Sequence, residues 1–440
     1  MQKEIRGLLA ALLGALICYA LSLLFLSDPH SRALAAVFFL LFLWTNEALP
    51  LGVVSLLPIV LFPALGLLDT AKTAANYANG IVFLFLGGFM LSIAVEKTEL
   101  HRLFARKLLT LFPPTPKGAI FALASASAIL SAFLSNTTTA LLLLPLAHFL
   151  ASQNALKARL ALAIAFGSSI GGILTPIGTP PNLILIGFLH QHALSAPHFI
   201  GWIAMMLPLA TAMVLALAFI LSINTSGLTV TYQISVFSPA SNDQKRLGAM
   251  IAALGAMLLL NNWVGLDERA LILFFGLLMF FPKIGFLEWR ESKEIPYDIF
   301  FLMGAGFALA DLFNESKFAE LIAQSLTALT GQSDLVVMIA MIAAISVIGL
   351  ALNNTTKASI AYPIVFSIAQ SAQADATLFL LAAAATASFS FILPTSTPPN
   401  AVALSSKAVT IREMIAYGSL MTLVGALLVI LCAFFYWRWF

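Results

Sequence analysis

Long apolar segments alternate with short polar ones from one end of the chain to the other. Segments such as 8–26, 199–222 and 413–437 are long enough to cross a hydrocarbon layer of about 30 Å as single helices. Within each segment the hydrophobicity is continuous and does not alternate from residue to residue, which favours helices over the strands of a membrane barrel. The pattern predicts an all-α polytopic membrane protein.

Composition strengthens this prediction and narrows the function. Of the 440 residues, 61% are hydrophobic and 9% are charged, whereas globular chains carry about 25% charged residues. The first apolar segment lacks a small-residue cleavage site, so we interpret 1–30 as a retained first transmembrane helix. The sequence contains no phosphate-binding loop, dinucleotide fingerprint or CxxC pair, and no nucleophile is paired with a base. We therefore expect neither an enzyme nor an organic cofactor nor a nucleic-acid partner.

The second half of the chain repeats the first at a constant offset, so that Asn136 corresponds to Asn354 and Asn182 corresponds to Asn400. Three pairs of segments match at this offset: LSNTTTALLLLPL (134–146) with LNNTTKASIAYPI (352–364), GTPPN (178–182) with STPPN (396–400), and 83–105 with 301–323. Several landmarks at one spacing predict two related structural units. We place the repeats at 31–222 and 248–440, with a linker at 223–247.

Basic residues orient the two repeats. The stretch 96–117 carries five Lys and Arg residues, whereas the corresponding stretch 314–334 carries one, Lys317. Because Lys and Arg beside a membrane segment favour the cytoplasmic side, we expect matching elements to face opposite sides, with the N-terminus in the cytoplasm and the C-terminus outside. Inverted repeats with paired interruptions are typical of secondary transporters, which bind their substrate near the midplane of the bilayer.

A polar tip interrupts one long apolar segment in each repeat. Residues 118–150 and 335–370 are each about as long as two short helices, with SNTTT or NNTTK in the middle. We predict re-entrant hairpins, because unpaired backbone at membrane depth is tolerated only inside protein or along a watery cavity. Asn and Thr cap the returning helix, whose free N–H groups suit a carboxylate or another oxyanion. The carbonyls that end the preceding helix, together with side-chain oxygens, suit a cation such as sodium.

Each repeat also contains a span broken by paired prolines, within GTPPN in the first repeat and STPPN in the second. Consecutive prolines remove two backbone donors and cannot continue a helix, so 160–189 and 376–405 are predicted to be broken helices. The threonine before the prolines, Thr179 or Thr397, offers a hydroxyl group beside open backbone. Interruptions at matching places in both repeats favour a binding site over simple kinks.

These motifs together resemble a known family of transporters. WTNEALPLGVVSLLPIVLFPALG (44–66), FLFLGGFMLSIAVEK (83–97), SNTTT, GTPPN and TPPNA are similar to segments of the divalent anion/sodium symporter (DASS) family, and the resemblance covers nearly the whole chain. It implies about eleven transmembrane helices plus two opposed re-entrant hairpins, a homodimer, and a transport domain that moves as an elevator against a scaffold. It also implies sodium-coupled transport of succinate-like dicarboxylates, citrate or sulfate across a bacterial inner membrane.

The implied order of elements is the same in both repeats. The first repeat would comprise scaffold helices 31–95, interfacial helix 96–117, hairpin 118–150, broken helix 160–189 and helix 199–222. The second, after a cytoplasmic linker at 223–247, would comprise scaffold helices 248–313, interfacial helix 314–334, hairpin 335–370, broken helix 376–405 and helix 413–437.

The resemblance also implies which residues bind substrate and sodium. Substrate contacts would come from the tips and the broken helices: Ser135, Asn136, Thr137, Thr179, Asn354, Thr355, Thr397 and Pro398. A first sodium site would use Ser131, Ser135, Asn136 and Gly178. A second sodium site would use Gly349, Asn353, Asn354 and Ser396. In this second set Asn353 stands where serine is usual in the family, and Gly349 stands where a hydroxyl residue is common.

Lys357 is the strongest departure from the family pattern. A lysine at membrane depth costs roughly 2.5–3.5 kcal/mol on the insertion scale, so its ammonium should face protein or a cavity. Its charge would then replace the second sodium ion or help to neutralise the substrate; alternatively, it extends to water or a carbonyl without a role in transport. An exchanger without net sodium flux therefore stays open beside sodium-coupled uptake of C4-dicarboxylates, and so does a citrate or sulfate transporter.

Overall fold

Helices form the regular secondary structure of this protein. The computed structural model describes residues 2–46, 48–230, 240–295, 297–316, 332–349, 352–405 and 407–440. These residues contain no β-strand, and the predicted all-α class is confirmed. The predicted interfacial helix 314–334 lies mostly outside the described residues, as do the middle of the linker 223–247 and two residues of the hairpin 335–370.

The helices follow the chain in two series. The first consists of α1 (Gln2–Ser22), α2 (Asp28–Asn46), α3 (Leu51–Ala64), α4 (Thr70–Ala75), α5 (Gly80–Lys97), α6 (Leu100–Leu109), α7 (Pro116–Ser131), α8 (Asn136–Leu150), α9 (Asn154–Gly171), α10 (Pro180–Gln191) and α11 (Phe199–Ser222). The second consists of α12 (Asn242–Val264), α13 (Glu268–Leu278), α14 (Tyr297–Glu315), α15 (Asp334–Ile348), α16 (Asn354–Ser371), α17 (Ala376–Ala387), α18 (Pro398–Ser405) and α19 (Ile411–Phe435).

Several helices have the length and composition of membrane spans. Within the described residues, four helical segments are long and apolar enough to cross a bilayer: Glu4–Ser22, Thr70–Lys97, Phe199–Ser222 and Ile411–Trp439. Three of the four predicted hairpin arms, α7, α8 and α15, are shorter apolar helices of 15 or 16 residues. At 1.5 Å per residue such an arm is about 24 Å long at most, too short to cross about 30 Å of hydrocarbon. These lengths favour the re-entrant arrangement, which stays a prediction.

The chain divides into two compact units, and each contains segments from both predicted repeats. The first unit comprises Met1–Val82, Ile184–Ser195 and Pro296–Ala384. The second comprises Phe83–Leu183, Ala196–Ile295 and Ala385–Phe440. Tertiary contacts within each unit therefore join elements that are distant in sequence. The boundaries of the repeats and the division into scaffold and transport parts stay predictions.

The core of the first unit lies between α2, α3 and α14. Leu40 of α2, Phe62 of α3 and Leu302 of α14 are at most 1% exposed and belong to one hydrophobic cluster. α1 packs on α2, and α16 packs on α14. In the second contact Ser359 lies against Gly306, where an added Cβ would be 2.7 Å from the Ser359 Oγ. The returning arm of the second hairpin is thereby attached to this core.

Small residues bring α7 and α9 together in the second unit. A Cβ atom added to Gly171 of α9 would lie 2.0 Å from the Ala128 carbonyl oxygen of α7, so the contact has room for glycine only. α11 packs against the same two helices. Its buried Trp202 donates a 3.0 Å hydrogen bond to the Ile173 carbonyl, directly after α9. The first hairpin and the break after α9 are therefore held close together.

Candidate functional site

The first polar tip is a tight turn between α7 and α8. Ser135 caps α8, because its Oγ accepts a 3.1 Å hydrogen bond from the Thr138 amide. The Ser131 Oγ donates a 2.6 Å hydrogen bond to the Asn136 Oδ1 across the turn. Asn136 and Thr137 in the first turn of α8 are half-buried. The tip therefore presents helix-start amides, with their partial positive charge, beside polar side chains that a ligand can reach.

One buried asparagine holds the loop between α9 and α10. Asn182 is fully buried, and its Nδ2 donates hydrogen bonds to the Gly172 carbonyl at 2.8 Å and the Thr175 carbonyl at 2.7 Å. The Thr175 hydroxyl in turn donates to the carbonyl of Ala132, in the turn that follows α7. The break before α10 is thus tied by hydrogen bonds to the first tip.

Two glycines allow close contacts at this loop, Gly172 with the first tip and Gly178 within the loop. A Cβ on Gly172 would lie 2.7 Å from the Asn136 Oδ1 and 3.2 Å from the Thr179 Cβ. A Cβ on Gly178 would lie 2.6 Å from the Gly172 carbonyl oxygen. The structure thus brings Ser131 and Asn136 close to the loop that carries Gly178 and Thr179, and adds Gly172, which was not among the predicted site residues. Hydroxyl, amide and carbonyl oxygens of this kind are ligands of hard cations.

The second tip repeats the capping arrangement with different side chains. Asn353 caps α16, and its Oδ1 accepts a 2.9 Å hydrogen bond from the Thr356 amide. Asn354 and Thr355 follow in the first turn of α16 and are half-buried, as their counterparts in the first tip are. Both returning helices therefore begin with a side-chain cap and an accessible Asn–Thr pair.

Lys357 lies in the first turn of α16, with its ammonium beside the end of α15. It is only 1% exposed. A Cβ on Gly349 would lie 2.7 Å from the Lys357 Nζ and 3.1 Å from the Ile345 carbonyl oxygen. The last turn of a helix carries partial negative charge, which stabilises a cation there. The ammonium thus occupies the space that a side chain at position 349 would fill.

A second buried asparagine holds the break between α17 and α18. Asn400 is fully buried, and its Nδ2 donates hydrogen bonds to the Ser390 carbonyl at 2.8 Å and the Leu393 carbonyl at 3.0 Å. Ser390 and Leu393 are the counterparts of Gly172 and Thr175 in the second repeat, so both breaks carry the same two bonds. The sequence offered these asparagines only as landmarks of the repeat. Their position directly after paired prolines in both repeats was the signal that they hold the loop before each helix.

The remaining predicted site residues divide between the two units. In the second unit α18 packs on α8 and α9, and Ser396, Thr397 and Pro398 stand at its start. The second tip, 349–357, belongs to the first unit. The predicted second sodium set therefore draws on both units, and so does the predicted substrate set. That either set meets around one ligand stays a prediction.

Comparison with known proteins gives a consistent answer. The sequence profile of the citrate transporter family (CitMHS) matches residues 39–384 and 298–440. The sodium-dependent dicarboxylate transporter SdcS of Staphylococcus aureus (strain NCTC 8325 / PS 47) is 28% identical over 431 residues, which cover 89% of this chain and 83% of that protein. The YdaH transporter of Alcanivorax borkumensis has a similar fold, with a TM-score of 0.59, 16% identity and coverage of 82% of this chain and 86% of that one. MtrF of Neisseria gonorrhoeae, from a class of antimetabolite efflux pumps, gives a TM-score of 0.55, 15% identity and coverage of 82% and 83%.

These findings, with the apolar helices, establish the class of the protein. At 15–16% identity the two solved structures show the fold alone. The profile match and the relative confirm the resemblance to the divalent anion/sodium symporters and support secondary transport of anions. The protein is a multi-pass membrane transporter and not an enzyme. The chain belongs to the citrate transporter family, whose profile spans most of its length.

Proposed function

We propose that the protein takes up C4-dicarboxylates such as succinate, fumarate and malate across a bacterial plasma membrane, in symport with sodium. The pair of tips carries this proposal: α8 and α16 both begin with a capped, half-buried Asn–Thr pair that offers helix-start amides to an anion. The similarity to SdcS, a sodium-dependent dicarboxylate transporter, supports both the substrate class and the coupling ion.

The substrate would place one carboxylate at each tip. The contacts proposed are Ser135, Asn136 and Thr137 at one end, Asn354 and Thr355 at the other, and Thr179, Thr397 and Pro398 from the breaks. Each helix start carries the equivalent of about half a positive charge, so two of them suit an anion with two ionised ends. A monocarboxylate would leave one helix start without its anion and should compete poorly.

Sodium would bind at the first tip beside the substrate. The proposed ligands are oxygens of Ser131, Ser135, Asn136 and Gly178. The contact between Gly178 and the Gly172 carbonyl, and the bond from Ser131 to Asn136, support this proposal because they concentrate oxygen atoms at one place. The ion would offset part of the negative charge of the substrate.

At the second tip, the ammonium of Lys357 would take the place of a second sodium ion. In the alignment of the two repeats Lys357 corresponds to Thr139, and Gly349 corresponds to Ser131. In the second repeat, a lysine thus replaces one hydroxyl residue and a glycine replaces the other. The glycine leaves room for the ammonium of the lysine. The set Gly349, Asn353, Asn354 and Ser396 would then surround a side-chain cation instead of a free ion.

The proposed machinery around this site is an inverted repeat of about eleven transmembrane helices with two opposed hairpins, working as a homodimer by an elevator movement. The N-terminus would lie in the cytoplasm and the C-terminus outside. Single cysteines at Lys107 and Gln332, in a chain without Cys18 and Cys432, test the orientation. A membrane-impermeant maleimide should label them from opposite sides, and labelling from the same side would contradict the inverted repeat.

Uptake into proteoliposomes tests the proposed function. An inward sodium gradient should drive accumulation of radiolabelled succinate, and unlabelled fumarate and malate should compete. Asn136→Ala should lower uptake about tenfold, the equivalent of about 1.4 kcal/mol of lost anion and sodium contacts. Asn242→Ala, at the exposed start of α12, is the matched control and should transport normally. Stronger competition by citrate or sulfate than by malate would reassign the substrate.

A dicarboxylate exchanger without net sodium flux is the second candidate. The buried Lys357 favours it, because a positive charge carried by the protein is not released with the substrate. Counterflow distinguishes the two functions. Symport predicts uptake into empty liposomes that depends on the sodium gradient. Uptake that requires a dicarboxylate inside and is indifferent to sodium would establish exchange instead.

A further inference from the structure

A groove on the first unit shares no lining residue with the proposed transport site. It is formed by α1, α2 and the end of α3, and its volume is about 370 Å³. That volume falls in the range of small-molecule sites, which is about 300–1,000 Å³. Its walls are almost entirely aliphatic or aromatic, with Leu12 and Leu16 from α1, Ala36 and Phe39 from α2, and Leu61 from α3.

The groove runs along the helix axes. Its lining positions recur at 12, 15, 16 and 19 on α1 and at 32, 35, 36 and 39 on α2, the spacing of one helix face. Ala15 and Ala36, which are 9% and 2% exposed, form the floor, and Leu12 and Leu16, which are 50% and 57% exposed, form the rim. Two turns of helix extend about 10 Å, so the groove is a channel that suits one extended hydrocarbon chain.

One end of the groove is polar. Arg32 forms an ion pair with Asp28, and the Tyr19 hydroxyl donates a 2.6 Å hydrogen bond to the same carboxylate. Arg32 also donates a 3.4 Å hydrogen bond to the Leu65 carbonyl. The side chains of Arg32 and Asp28 are still 44% and 42% exposed, and a guanidinium has five N–H donors. The mouth therefore presents one accessible cation and one accessible anion.

The loop after α1, which lies between Tyr19 and Asp28 in the sequence, exposes large apolar side chains. Leu24 and Phe25 are 70% and 86% exposed. Large apolar side chains exposed together mark contact with a membrane or a partner, and at the level of lipid headgroups they are favourable. A mouth with charges of both signs and an apolar channel below it matches the shape and charge of a membrane lipid.

We infer that the groove binds one phospholipid with a zwitterionic amine headgroup. An acyl chain fills the channel, the phosphate contacts the Arg32 guanidinium, and the ammonium contacts the Asp28 carboxylate. A second copy of the chain is a poorer occupant, because helix interfaces in membranes are rich in small residues, whereas leucines form the rim of this groove. The inference is independent of the transported anion.

Native mass spectrometry of the delipidated, detergent-purified protein, with phosphatidylethanolamine added, tests this site. The wild type should hold one molecule per protomer at lipid concentrations at which Ala35→Phe, which fills the channel, holds less than about a tenth as much. Arg32→Gln should bind both phosphatidylethanolamine and phosphatidylglycerol more weakly, and Asp28→Asn should lose the preference for phosphatidylethanolamine over phosphatidylglycerol. The matched controls are Leu13→Phe, on α1 but outside the groove, and Arg290→Gln, an exposed arginine that is also paired with an acid. Both controls should bind as the wild type does.

Three results would overturn the inference. Ala35→Phe could hold as much lipid as the wild type, or Leu13→Phe could lose as much as Ala35→Phe. The wild type could bind phosphatidylglycerol as well as phosphatidylethanolamine, which removes the headgroup assignment. Leu12→Cys, in a chain without Cys18 and Cys432, could form a disulfide between two copies in membranes, which would show that a second protomer covers the groove. If Ala35→Phe does not fold, lipid binding by Arg32→Gln tests the site, and binding as strong as that of the wild type would overturn the inference.

Discussion

The two polar tips share one backbone arrangement and differ in one exchange of side chains. Ser135 and Asn353 cap α8 and α16 with the same bond, to the amide three residues on. At the first tip Ser131 bonds to Asn136, whereas at the second Gly349 leaves room for the ammonium of Lys357. Caps and buried asparagines hold the backbone of each repeat, so the groups that face a ligand can change without a change of fold.

The ends of α5 and α14 show a second exchange. Lys97 at the end of α5 bonds to Glu291 at 2.7 Å. Glu315, the counterpart of Lys97 in the second repeat, ends α14 and pairs with Lys72. The two repeats thus keep an ion pair and reverse the sign of the charge at the helix end. Each pair contains one lysine and one glutamate, so the summed charge of the pair is the same at both helix ends.

The contact between the first tip and its broken helix should give the largest effect. Gly172→Ala places a Cβ 2.7 Å from the Asn136 Oδ1 and should displace that side chain. Overpacking costs about 1–3 kcal/mol, so succinate uptake should fall roughly 5- to 150-fold. Gly255→Ala is the matched control, because its Cβ meets nothing within 4 Å. Equal activity of the two variants would show that the tip does not depend on this contact, just as the second repeat accepts Ser390 at this position.

Exchange of residues between the two tips should change the sodium dependence of transport. Gly349→Ser alone should lower uptake about fivefold, because its side chain must displace the Lys357 Nζ. The double variant Gly349→Ser/Lys357→Thr recreates the Ser131 and Thr139 pair and should restore uptake with a second sodium ion. The Hill coefficient for sodium should then rise from about one to about two, because the ammonium no longer fills the position. Sodium titrations of succinate uptake measure this coefficient. An unchanged sodium dependence in the double variant would exclude Lys357 from this role.

The two buried asparagines should separate structural from sodium-linked effects. Asn182→Ala and Asn400→Ala each remove two buried hydrogen bonds to loop carbonyls and should lower stability by about 1–3 kcal/mol. Sodium should raise the midpoint of thermal unfolding for the wild type and for Asn400→Ala, but much less for Asn182→Ala, whose loop contacts the proposed sodium site. Asn154→Ala, exposed at the start of α9, is the control. An equal sodium response in both variants would contradict the assignment of the ion to the first tip.

The ion pair at the end of α5 should give the smallest effect. The Glu291 carboxylate accepts hydrogen bonds from the Lys97 ammonium and from the Glu288 amide. Both lower its pKa, and the bond from Lys97 has the larger effect. A lowered pKa means that the pair stabilises the fold above the unfolded value of about 4.3, and that this stabilisation is lost as the pH falls through the lower folded value. Lys97→Ala should therefore cost less than about 1 kcal/mol at pH 7 and should flatten the pH dependence near pH 4. Thermal unfolding between pH 3 and pH 7 measures both, with Lys107→Ala as the control. An unchanged pH profile would show that the pair is not coupled to folding.

The local breaks of the chain could be predicted because their causes are local. Proline cannot continue a helix, and α10 and α18 begin at the first proline of each pair. Ser, Asn and Thr cap helices from one position, and α8 and α16 begin directly after such caps. Gly172 and the bonds of Asn182 and Asn400 could not be predicted in this way. Their partners depend on the path of an irregular loop, which no periodic pattern describes.

By itself the sequence determined that this chain is helical, lies in a membrane and carries the same interrupted plan twice. Hydrophobic length, capping and proline act over a few residues and need no tertiary information. Only the tertiary structure decided which oxygens meet at the first tip and where the ammonium of Lys357 lies. Those distances depend on how closely helices approach. Gly171 and Gly349 allow the close approach because glycine has no side chain.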